Sequence, residues 1–85
     1  MLYNNKTIAN TEFTLSDITK REKEVLHLIS LEHSSKEIAS MLFISMHTVI
    51  SHRKNMMQKV GVKNTAGLVR AGFEKGWLQI ENHNY

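Results

Sequence analysis

The chain has 85 residues, a formal net charge of +3 and neither cysteine nor proline, so disulfides and thiolate zinc sites are excluded. That length suits one small domain whose core buries a modest share of the surface, so stability must come from idealised packing, a partner subunit, or both. No apolar run approaches the ~18 residues of a membrane helix, and MLYNNKTIAN lacks the basic and apolar regions of a signal peptide, so a soluble cytoplasmic protein is expected.

Residues 1–17 are polar, with Leu2, Tyr3, Ile8, Phe13 and Leu15 at no steady period, and read as a flexible arm or the remnant of a linker. From Thr19 the pattern turns helical. Thr19 and Glu22 have capping-box spacing ahead of Val25, Leu26, Leu28 and Ile29, which predicts a helix over about 20–31. Ser34 and Glu37 repeat the box and open a second helix over 35–42, with Ile38, Ala39 and Leu42 inward. Phe43 and Ile44 make a tight turn, and Ser45 caps a third helix over 46–60 that Gly61 ends in a left-handed conformation. At about 100° per residue, Val49, His52, Met56 and Val60 fall on one side of it, and His47, Ser51, Lys54 and Gln58 opposite. A fourth helix is predicted over about 65–75, closed by Gly76, with Ala66, Val69 and Phe73 in the core. Leu68, Ala71 and Lys75 fall on other faces, where an exposed Leu68 would mark a partner surface. Trp77 and Leu78 are expected to fold back on the bundle, and residues 81–85 to fray. No segment alternates like a strand, so the expected fold is all-α: a four-helix bundle with a helix-turn-helix at its second and third helices, where small Ala39 permits a close crossing.

The charge is unevenly placed. All eight carboxylates lie at or before Glu37 or at and after Glu74, whereas residues 38–73 carry Arg53, Lys54, Lys59, Lys63 and Arg70. A surface of one sign attracts a polyanion such as DNA or RNA, although an ordinary solvated basic face explains the same charges equally well. His47 and His52, five residues apart, point about 140° from each other on a helix and make a poor metal pair. Ser45 and Thr48 have no nearby Asp and no glycine-rich elbow, which leaves them as a cap and a polar contact rather than nucleophiles. No enzyme and no cofactor is expected. Of the methionines, Met56 is read as core, and Met46 and Met57 as boundary residues.

The segments ITKREKEVL, SSKEIA, ISMHTVISHRKN and KVGV, in this order over residues 18 to 78, resemble the LuxR/GerE-type DNA-binding domain throughout. The resemblance implies a domain at 18–80 whose third helix enters the major groove of double-stranded DNA and whose fourth supplies a dimer contact. Carried over residue by residue, it implies base contacts at Ile50, Ser51 and Lys54, with Met46 and His47 near the groove. It further implies phosphate contacts at Lys36, Ser45, Thr48, Arg53 and Lys59. A homodimer seam at Leu68, Ala71, Gly72 and Lys75 follows from it too, as does RNA polymerase as a further partner. The helical wheel had already turned His47, Ser51 and Lys54 outward on independent grounds.

Some positions depart from the family's pattern. Ile50 stands where a lysine is common, and isoleucine can donate to neither phosphate nor guanine, although it can pack on a thymine methyl. Glu32 stands where a glycine is usual, so the break after the first helix must be made another way. Thr65 replaces an arginine, and Gly67 and Gly72 replace better helix formers at about 1 kcal/mol each, a loss that close approach at a dimer seam could offset. Two functions therefore compete. The first is a sequence-specific DNA-binding transcriptional regulator, with a sigma-factor-like promoter contact as a related form. The second is a protein-interaction module that uses Met46, Ile50, Met57 and the fourth helix. Residues 1–17 are too few for a receiver or ligand-binding domain, so the chain is either a stand-alone regulator or the end of a longer protein.

Overall fold

The computed structural model describes residues 17–80, so the expected arm and frayed tail lie outside the described residues. Four helices follow in order: α1 Lys20–Ser30, α2 Ser35–Leu42, α3 Met46–Val60 and α4 Thr65–Glu74. There is no strand among the described residues.

Each helix starts where a side chain satisfies an amide that the helix cannot. Thr19 Oγ1 accepts from the Glu22 amide at 3.0 Å while Glu22 Oε1 accepts from the Thr19 amide at 2.8 Å. Ser34 and Glu37 repeat this reciprocal pair at α2. Ser45 caps α3 by accepting from Thr48, and Asn64 caps α4 by accepting from Gly67. The stops differ in chemistry. Gly61 ends α3 at φ +80°, a backbone angle that costs glycine little. After α1 and α2 the left-handed residue is not glycine: Glu32 stands at φ 70° and Phe43 at φ 58°. The break expected at Glu32 is thus made by forcing an ordinary residue into the glycine conformation.

The core forms around α1, which packs against each of the other three helices, while α3 joins α2 to α4. Val25, Leu26, Ile38, Val49, Met56 and Leu68 are almost wholly buried. Leu78 returns from the tail into the same cluster, with Trp77 packed on its edge, and the amides of both donate to the Gly72 carbonyl. The fold-back expected for these two residues is therefore present.

The register of α4 is rotated from the one expected, although Val69 packs against the core as expected. Leu68, Ala71 and Gly72 are buried in the protomer's own core, whereas Ala66 and Phe73 are exposed and Val69 is half-buried. Of the residues expected at a dimer seam, Leu68, Ala71 and Gly72 are thus buried within the chain and only Lys75 is on the surface. Both faces have helical spacing, and the close packing of α4 decides between them. A Cβ on Gly72 would stand 2.7 Å from Leu78 Cδ1 and 3.0 Å from Leu26 Cδ2, so the bare glycine is what lets α4 and the returning tail close on α1. At Gly72, close approach within the chain itself thus accounts for a helix-interior glycine.

Candidate nucleic-acid interface

One face of α3 is held by Val49 and Met56, both fully buried, which fixes what the opposite face presents. Along that outward stripe lie Met46, His47, Ile50, Lys54 and Gln58, all exposed, with Ser51 half-exposed at its edge. The five residues expected to meet bases are therefore brought to one surface. Asn55 and Gln58 share it but are missing from the set carried over by resemblance. Gln58 was legible from the wheel alone, one turn beyond Lys54.

The expected phosphate set divides. Lys36, in the first turn of α2, and Ser45 are exposed, and Thr48 is half-buried. Ser45 Oγ and Thr48 Oγ1 lie 2.9 Å apart at the start of α3, where the unbonded amides of the first turn concentrate partial positive charge. Arg53 and Lys59 are engaged within the protein. The Arg53 guanidinium donates to Thr65 Oγ1 at 2.7 Å and ties α3 to the first residue of α4. The Lys59 ammonium donates to Glu22 Oε1 at 2.9 Å and ties the end of α3 to the start of α1.

Glu22 is only 3% exposed, and two donors converge on its Oε1: the Lys59 ammonium and the Thr19 amide. Burial pushes its carboxyl up, but the hydrogen bond from Lys59, the one from the Thr19 amide and the ammonium charge outweigh burial and hold it below its ordinary value. A buried carboxylate with no such donors would be strongly destabilising. Lys59 is thus matched in charge by Glu22, and on the outward stripe of α3 the cation is Lys54. Lys63 adds to it: Lys54, Gln58 and Lys63 border a shallow groove with Met57 and Val62 at the end of α3. Sequence reasoning noted Lys63 only as part of the basic window, because nothing in helical spacing relates a loop residue to the stripe.

The other surface ion pairs, Arg21 with Glu24 and Arg70 with Glu74, lie on α1 and α4. No carboxylate stands on the exposed face of α3. Among the described residues there is no group of three or more His, Cys, Asp or Glu side chains able to hold a metal ion, and no helix long and apolar enough to cross a membrane. The stripe is a convex array of donors, one cation and two apolar side chains, suited to lying in a groove rather than to enclosing a substrate.

Residues 16–71 match the family model for bacterial regulatory proteins of the luxR family. Over 76 residues the chain is 38% identical to the oxygen regulatory protein NreC of Staphylococcus aureus strains bovine RF122 / ET3-1 and MRSA252, an alignment that takes in 89% of this chain. The same identity relates it to NreC of strain JH9. The aligned part is 35% of each of these relatives, so the chain spans about a third of their length.

Proposed function

The chain belongs to the luxR family of bacterial regulatory proteins, and from that we propose that it is a sequence-specific transcriptional regulator that inserts α3 into the major groove of DNA. The observation that carries this reading is the outward stripe of α3, which holds donors and a cation but no carboxylate. In it, Lys54 and Ser51 contact base edges, His47, Met46 and Ile50 line the groove, and Lys36, Ser45 and Thr48 take phosphates. Arg53 and Lys59 act mainly by holding α3 to α4 and α1. The protein acts in the cytoplasm, on the chromosome, and at a promoter its partner is RNA polymerase.

Two copies on repeated half-sites fit such a module. We place the dimer contact on the exposed side of α4, where Ala66 and Phe73 lie two turns apart with Lys75 beyond them.

Binding to duplexes selected from a random pool tests this reading. Lys54→Ala is expected to weaken the selected duplex by about 1–3 kcal/mol and to relax preference at one base pair. The affinity of the unaltered chain is expected to fall steeply as salt rises. The exposed Met46 and Ile50 also suit a protein partner. Failure to shift any duplex at low salt, together with capture of one stable protein partner that Ile50→Asp abolishes, favours that second reading.

A further inference from the structure

We propose that Phe43, Met46 and Ile50 form an apolar leading edge that recognises the 5-methyl groups of thymine. This rests on the reading of α3 as a major-groove helix and names the chemistry of its readout.

All three side chains are exposed: Phe43 is 94%, Met46 49% and Ile50 39% accessible. Met46 and Ile50 are four residues apart on α3 and so lie one above the other on the same face. Phe43 precedes Met46 by three residues, so chain geometry keeps its Cα within about 10 Å of that of Met46.

Phe43 is unfavourable twice over in the protomer. Its ring is in water, and its backbone stands at φ 58°, a conformation unfavourable for a bulky side chain. It takes no part in the core cluster. Strain combined with apolar exposure at one position is the signature of a residue kept for what it meets outside the fold.

The surroundings identify that ligand. Met46 and Ile50 share the outward side of α3 with His47, Ser51 and Lys54, and Phe43 stands two residues before Ser45, where Ser45 and Thr48 form the polar start of the helix. A protein partner covering this edge would also have to leave the Lys54 ammonium in water or supply it with acceptors. A major groove supplies acceptors for Lys54 and His47 together with one apolar group, the methyl of thymine. The mixture of side chains on the stripe therefore matches thymine-containing steps beside a guanine that Lys54 can reach.

The test uses the whole 85-residue chain and duplexes recovered by it from a random pool, remade with deoxyuridine in place of one thymine at a time. Uracil keeps every hydrogen-bonding group of thymine and lacks only the methyl. Loss of one buried methyl is expected to weaken binding about fourfold. That penalty should appear at one or two thymines in each half-site and vanish at one of them in Ile50→Ala. Phe43→Asn is expected to leave thermal stability equal or higher, because Asn tolerates the left-handed conformation, and yet to weaken DNA binding. Equal affinity for thymine and uracil duplexes at every position overturns the inference while leaving the DNA-binding reading intact. A Phe43→Asn chain that binds as the unaltered one removes Phe43 from the edge. Failure to bind any duplex at low salt overturns the underlying reading instead.

Discussion

Glu32 shows how one backbone angle carries a departure from the family pattern. At φ 70° it occupies a conformation that costs a non-glycine residue about 1–2 kcal/mol. Glycine there relieves that strain but adds freedom to the unfolded chain, so Glu32→Gly is expected to raise stability by about 0.5–1 kcal/mol, readable as a higher denaturant midpoint at unchanged slope. The pair of Glu22 and Lys59 acts in the other direction. Because folding lowers the Glu22 value, its contribution is complete above the ordinary value of 4.5 and is lost as pH falls through the lower folded value. Thermal melts should show the unaltered chain losing its advantage over Glu22→Gln below about pH 4.5, and an advantage that stays constant down to pH 3 would refute the assignment. Lys59→Met should cost about 1–3 kcal/mol of stability, since it leaves a buried carboxylate without its cation.

At the scale of the element, α4 is the instructive case. Its apolar residues occupy both sides, and the smaller set, Leu68, Ala71 and Gly72, is the buried one. Leu68→Ala is expected to destabilise the fold by about 2–4 kcal/mol. Phe73→Ala, at a position 40% exposed, should change the stability of the protomer by less than about 1 kcal/mol. In sedimentation at rising concentration, Phe73→Asp should lower self-association if the dimer uses this side. Equal stability losses at Leu68 and Phe73 would contradict the register. The starts of all four helices were far more legible, because a cap and the residue it bonds lie within one turn of each other in sequence.

Across the whole molecule, charge is partitioned by the fold as well as by the chain. Residues 38–73 contain no carboxylate, yet Lys59 is neutralised by Glu22 from 37 positions away, and Arg53 is committed to Thr65. One cation of the basic window is therefore already paired with a carboxylate of another helix. Plots of log affinity against log salt should lose about one unit of slope in Lys36→Ala. In Lys59→Met the slope should stay nearly unchanged in the folded protein. A full unit lost with Lys59 would restore it to the phosphate set.

Four capped helices, their boundaries to within a residue or so, the helix-turn-helix and the outward stripe of α3 were determined by the sequence itself, because each rests on hydrogen bonds or spacings that close within a few residues. Three matters were decided only by tertiary structure: the side on which α4 packs, the partners of Arg53 and Lys59, and the exposure of Phe43. Each depends on a partner distant in the chain or on the space left by one, as with Gly72 against Leu26, Lys59 against Glu22 and Arg53 against Thr65. Local periodicity shows that a helix has two faces. Which face closes on the core is set by how near the neighbouring helix can come.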